Sequence, residues 1–260
     1  MLGSKNIVGL DIGSYAIKAV ELNQKKKDKK KVYEVKKIGY QLLPNDAIVE
    51  GTIIDTRAVI EGLKSVFNKN KISNKNVVIS ISGNSVIIKK ISLPQMEQQE
   101  LDESIIWEAK HNIPYPYDET NVDYTVLNPQ PGSGNTNLDI LLVAAKKDKI
   151  TNYTNVVSQA NKNLKAIEVD VFALQNSMEI NYPETLKDNT VVIINLGANT
   201  TNVVIIEKKI PQLFRDLSVG GLFFTENMRK ELNISFENAE KALRGIPVED
   251  IPNERIEPIL

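Results

Sequence analysis

A ten-residue pattern is written into this chain twice. Asp11-Ile12-Gly13-Ser14-Tyr15-Ala16-Ile17-Lys18-Ala19-Val20 lies without a gap over Asn195-Leu196-Gly197-Ala198-Asn199-Thr200-Thr201-Asn202-Val203-Val204. Each copy reads as a strand, a polar side chain two residues before glycine, small or hydroxyl residues, and a second strand. That is a tight hairpin, and turn amides that point inward form a concavity for anions. Two facing copies in a duplicated fold would grip a phosphate chain from both sides. Asp11 adds a carboxylate able to hold hydrated Mg²⁺, a cation that usually keeps several waters beside substrate phosphates. Lys18 adds a point charge for the phosphates. From the residues alone, a second reading stays open: two tight turns of a duplicated fold that hold no ligand.

Between and around these turns, strand-like segments alternate with amphipathic helical patterns, which points to an α/β architecture. Strands are expected over residues 7–10, 17–22 and 32–40, the last two forming a hairpin around the lysine-rich run 25–31. That run is either a solvated hairpin tip or a contact for an anionic membrane surface or nucleic acid. Asp55 is positioned to cap a helix that buries Val59, Leu63, Val66 and Phe67, followed by a strand over 77–81. Residues 84–164 read as a unit of their own: strand 86–91, helix 97–111, a proline-rich passage at 113–117, strand 122–127, a loop over 129–137, strand 139–145 and helix 147–163. This block is expected to be a subdomain inserted into a larger fold. Strand 166–169, helix 171–180 and strands 191–194, 202–207 and 212–219 follow, then helices 222–232 and 236–243, with Gly220-Gly221 at the sharp strand-to-helix turn.

Composition removes several function classes. The chain has 260 residues, with 32 basic against 33 acidic side chains, so no global basic field recommends nucleic acid as a partner. With no cysteine and a single histidine, His111, disulfide frameworks, thiolate metal sites and Cys nucleophiles are excluded and His-based catalysis has little to work with. The longest apolar run, 140–145, is far short of the ~20 residues a spanning helix needs. The start of the chain shows no signal-peptide core, and the expected compartment is the cytoplasm. His111 is expected at a helix C-terminus, where it favours the dipole. Trp107 is read either as core or as an interface anchor for a partner.

Gly9-Leu10-Asp11-Ile12-Gly13-Ser14-Tyr15-Ala16-Ile17-Lys18-Ala19-Val20-Glu21-Leu22 resembles the first phosphate motif of the actin, heat-shock chaperone and FtsA superfamily. More narrowly, the chain resembles the PilM family, the cytoplasmic actin-like proteins of type IV pilus assembly. Ile91-Ser92-Leu93-Pro94-Gln95-Met96, Ile106-Trp107-Glu108-Ala109-Lys110 with Ile113-Pro114-Tyr115-Pro116, Leu141-Leu142-Val143-Ala144-Ala145-Lys146-Lys147 and Val169-Asp170-Val171-Phe172-Ala173-Leu174 carry the resemblance onward in family order. It implies an actin-like, ribonuclease H-like duplicated α/β fold with two lobes around a nucleotide cleft and an FtsA-type inserted subdomain. The first lobe would comprise residues 1–83 and 165–185, the inserted subdomain 84–164 and the second lobe 186–260. The resemblance further implies ATP with Mg²⁺ as cofactors, bound by Asp11, Gly13, Ser14, Tyr15, Lys18, Asn195, Gly197, Ala198, Asn199 and Thr200, with Asp11 toward the metal through water. The implied partner is the short cytoplasmic tail of a PilN-like inner-membrane protein, with motor ATPases beyond it and the membrane reached only through that partner.

Two departures bear on activity. The second phosphate turn usually opens with Asp, whereas this chain has Asn195, which keeps a hydrogen-bonding amide and loses the charge. Hydrolysis is therefore expected to be weak, with Asn195, Asp170 and Glu168 as the candidates for positioning or activating water. The sequence also ends at Leu260 before the glycine-rich turn that clamps adenosine in the family, so the second lobe is expected to be incomplete. The competing readings are an active ATPase of the superfamily and an FtsA-like cell-division protein.

Overall fold

The computed structural model describes residues 7–27, 30–83, 85–127, 137–248, 251 and 256. The chain opens with an antiparallel meander of β1 (Val8–Ile12), β2 (Ala16–Lys27) and β3 (Lys30–Leu42). In β1 the pleat sends Val8, Leu10 and Ile12 inward and Gly9 and Asp11 outward. A two-residue hairpin, β4 (Ile48–Val49) with β5 (Thr52–Ile53), leads into α1 (Thr56–Lys69). Asp55 caps α1 by accepting a hydrogen bond from the Ala58 amide at 2.9 Å, and the helix buries Val59, Leu63, Val66 and Phe67, all as expected. Strand β6 (Asn76–Ile81) then lies parallel to β1, and β10 (Asn163–Val169) lies parallel to β6, completing a five-stranded sheet of order β10-β6-β1-β2-β3.

Between β6 and β10 the chain builds a separate three-stranded antiparallel sheet, β7-β9-β8, from β7 (Val86–Pro94), β8 (Thr120–Val126) and β9 (Asn137–Lys146). Helix α2 (Gln98–Asn112) covers it with Leu101, Ile105 and Ala109, and these join Leu138, Ile140 and Leu142 in a core of their own. Helix α3 (Lys147–Gln159) returns to the first sheet, where Tyr153, Val156 and Val157 share a core with Phe67 and Val77. It stops four residues short of the expected position 163. Asn161 takes a left-handed φ of 58° and β10 starts at Asn163.

Helix α4 (Asp170–Asn181) contacts β6, β10 and β12 (Thr201–Glu207) and so links the first sheet to the last. A short α5 (Pro183–Asp188) leads into the last sheet, in which β11 (Thr190–Leu196), β12 and β13 (Ile210–Leu217) run antiparallel in that order. Helices α6 (Gly221–Leu232) and α7 (Phe236–Leu243) follow and pack through Met228, Leu232, Ala239 and Ala242. The β4–β5 hairpin and α5 have no counterpart in the sequence reading, because two-residue strands and a six-residue helix are too short to show a period. Positions 28 and 29 of the lysine-rich run, nearly all of the loop expected over 129–137, and 257–260 lie outside the described residues.

Candidate functional site

The two glycine turns fold alike. In the first, Asp11 pairs with Lys18 across the β1–β2 ladder and the Gly13 amide donates to the Ala16 carbonyl at 3.2 Å. In the second, Asn195 pairs with Asn202 across β11–β12 and the Gly197 amide donates to the Thr200 carbonyl at 3.0 Å. Glycine is needed in the second copy by close approach. A Cβ on Gly197 would stand 2.7 Å from the Thr200 carbonyl oxygen, and one on Gly220 would stand 2.4 Å from that of Ala198. The start of α6 fastens this turn from behind, since the Gly221 and Leu222 amides donate to the carbonyls of Gly197 and Ala198 at 2.9 Å each.

Both turns open on one cavity of about 420 Å³. Asp11, Gly13, Ser14, Tyr15 and Lys18 line it from one side and Asn195, Gly197, Ala198, Asn199 and Thr200 from the other, so every residue assigned to phosphate binding from the sequence reaches it. Asp170 also lines it, from the first turn of α4. Glu168 is not among the lining residues. Its Oε1 accepts from the amide of the next residue, Val169, at 2.9 Å, so this candidate acid serves its own backbone.

Other lining residues escape sequence reasoning because they come from distant elements. Glu50 and Gly51 follow β4, Ser80 to Gly83 end β6, Tyr153 comes from α3, Asn202 from β12, and Glu240 and Arg244 from the end of α7. Only Asn202 had a readable signal, its place opposite Lys18 in the aligned pattern. Glu240 accepts from the Tyr15 hydroxyl at 3.1 Å and Arg244 donates to the same oxygen at 3.4 Å, which closes one side of the cleft between β2 and α7. Burial, and then the bond to Glu240, raises the Tyr15 phenol above its ordinary value of 10.0.

Behind the part of the cavity wall formed by Gly51, Ser82 and Gly83 lies a buried cation. The side chain of Lys149 is only 7% exposed and its ammonium donates to the Ser82 carbonyl under Gly51 and Gly83. Desolvation lowers its pKa, opposed by the charges of Asp170, Asp216 and Asp148. Beside it, Tyr153 donates to the Gly51 carbonyl at 3.1 Å, and burial pushes its phenol strongly upward. At the rim, Asp11 and Lys18 form an ion pair at 2.8 Å with both side chains about half exposed. Such a pair contributes little to stability, which leaves both charges available to a ligand.

No cluster of three or more His, Cys, Asp or Glu suited to a metal occurs among the described residues. Two separate carboxylates, Asp11 and Asp170, on a cavity walled by turn amides suit a hard cation that keeps its waters and is shared with phosphate oxygens. The residues fit Mg²⁺ with a nucleotide.

Trp107 lies elsewhere. It stands 58% exposed on α2 with its ring centroid 3.9 Å from that of His111, and His111 Nδ1 is hydrogen-bonded to the Trp107 carbonyl at 2.8 Å. His111 occupies the last turn of α2, as expected. The core alternative for Trp107 is thereby removed. No helix among the described residues is long and apolar enough to cross a membrane.

Comparison with known proteins fits this picture. The family model described as type IV pilus assembly protein PilM matches residues 9–258. Among solved structures, the chain is similar to the "PilM-PilN type IV pilus biogenesis complex" with a TM-score of 0.82 at 24% identity, over 97% of this chain and 71% of that one. It is also similar to the ethanolamine utilization protein EutJ from Carboxydothermus hydrogenoformans, with a TM-score of 0.51 at 13% identity over 99% of this chain and 66% of that one. The fold is the actin-like α/β architecture that the resemblance implies. With the family match running through both turns and the β7–β9–β8 block between them, the chain belongs to the type IV pilus assembly protein PilM family.

Proposed function

We propose that this protein is a nucleotide-binding adaptor of type IV pilus assembly, in which Mg·ATP held in the cleft sets how a protein partner is bound. The carrying observation is the pair of matched turns facing across one cavity with a carboxylate at its rim. In this reading residues 1–83 with 165–185 and residues 186–260 belong to the two lobes, and the inserted subdomain lies within 84–164, whose α3 packs back on the core of the first lobe. The amides of both turns take phosphate oxygens. Lys18 supplies positive charge, and Asp11, assisted by Asp170, would hold the hydrated Mg²⁺. The cation, when bound, offsets charge on the phosphate oxygens. Asn195 can orient a water but carries no carboxylate to take its proton, which supports binding with weak hydrolysis at most.

The partner follows from the family and from the PilN in the solved relative. The short cytoplasmic tail of a PilN-like inner-membrane protein would hold this protein at the inner membrane and link it to motor ATPases. Calorimetry tests the cleft: Mg·ATP should bind the wild type and fail to bind an Asp11→Ala variant. Equal affinity in the two would remove the phosphate-turn assignment. For the partner, a labelled PilN-like tail peptide should bind, with an affinity that changes when Mg·ATP is added; an affinity indifferent to nucleotide would leave a scaffold without a nucleotide switch.

A further inference from the structure

Resting on the nucleotide reading above, we propose that Asp216 is a positioning residue that turns Asn195 into a fixed hydrogen-bond acceptor for the hydration shell of Mg²⁺. Asp216 sits on β13, and its Oδ1 accepts from Asn202 Nδ2 at 2.8 Å. Asn202 Oδ1 in turn accepts from Asn195 Nδ2 at 3.0 Å. A carboxylate can only accept, and this fixes the sense of the whole relay. Asn202 must spend its amide nitrogen on Asp216, so it meets Asn195 with its oxygen, and Asn195 must spend its own nitrogen there. The Asn195 oxygen remains as the polar atom it presents to the cavity that both asparagines line. Asn202 is 3% exposed, so reversing it without a new partner would strand a buried amide.

The direction matters because coordinated waters present hydrogens outward. An acceptor on Asn195 attracts that shell, whereas an NH₂ there would repel it and favour bare phosphate instead. Asp216 also reaches the other lobe. Its Oδ2 accepts from the Gly83 amide at the end of β6, at 3.1 Å. That bond fixes the rotation of the carboxylate, while the pairing of Asn202 with Asp216 across β12–β13 keeps the relay itself within one sheet.

Three variants and calorimetry with ATP, in Mg²⁺ and in chelator, test this. Asp216→Asn keeps the shape. Its oxygen satisfies Gly83 and its NH₂ then faces Asn202, which reverses the relay and turns the Asn195 NH₂ to the cavity. The ratio of ATP affinity with and without Mg²⁺ should fall about tenfold, the size of one hydrogen bond involving a charged group, while Mg-free affinity stays level or rises. Asn202→Ser, which interrupts the relay and leaves the Gly83 contact, should lose the same preference. The swap Asn195→Asp with Asp216→Asn gives a self-consistent relay ending again in an acceptor, and should recover the Mg²⁺ preference. An unchanged ratio in Asp216→Asn, or a swap as impaired as the single variant at matched melting temperature, overturns the proposal. A wild type that binds no ATP in either condition overturns the nucleotide reading itself, and this inference with it.

Discussion

Asp11 is the side chain on which nucleotide affinity should depend most. It is half exposed, points away from the β1 core and forms an ion pair with Lys18. Its removal should leave the fold alone and lower Mg·ATP affinity by at least about tenfold, since a hydrogen bond to a charged group is worth roughly 1.5–3 kcal/mol. Unchanged urea unfolding beside lost binding is the expected pair of results. Gly220 is the opposite case. A methyl group there meets the Ala198 carbonyl at 2.4 Å, and Gly220→Ala should destabilise by about 1–3 kcal/mol, the usual cost of forcing atoms into a filled site. The denaturant midpoint would show it. At this scale the phosphate turns were legible because their chemistry is local: polar residue, glycine and small residues follow one another in the chain. Of the two candidate acids Asp170 lines the cavity and Glu168 does not, a difference that two positions so close in the chain cannot announce.

Helix α1 shows how an element is specified twice over. Its cap is Asp55 and its stripe is Val59, Leu63, Val66 and Phe67, every one at most 1% exposed. Asp55→Ala should cost roughly 1 kcal/mol through the lost bond to the Ala58 amide. Leu63→Ala should cost about 2–5 kcal/mol through transfer and cavity terms together. Equilibrium unfolding of both variants checks the order, and a cap variant more damaging than the core variant would contradict it. Elements with such caps and stripes were readable. Helix α2 was readable mainly by position: no side chain caps its start, and its buried face is the narrow set Leu101, Ile105 and Ala109. The β4–β5 hairpin was not readable at all, because its strands of two residues show no period; beside it the Ile54 and Asp55 amides both donate to the Ala47 carbonyl, at 2.9 and 3.1 Å.

At the scale of the molecule, hydrogen bonds cross the cleft from Tyr15 to Glu240 and Arg244 and from Gly83 to Asp216. The Tyr15 bridge should leave a mark on alkaline stability. A phenol whose folded pKa is raised above 10.0 contributes stability that is whole below that pH and is lost as pH climbs through the raised value. Tyr15→Phe should therefore abolish part of the alkaline loss, read as urea midpoints between about pH 9 and about pH 11. It should also speed nucleotide exchange, measured by stopped flow, because one closure of the cleft is gone. The sequence by itself determined the strand-turn-strand units, the capped helix α1, the repeated glycine turn and the family, since each is written in residues a few positions apart. Only the tertiary structure decided that the two turns face each other, that Glu240, Arg244 and Tyr153 join them around one cavity, and that Asn202 links Asn195 to Asp216. Those groups are brought together by packing between elements far apart in the chain, where neither period nor spacing carries the information.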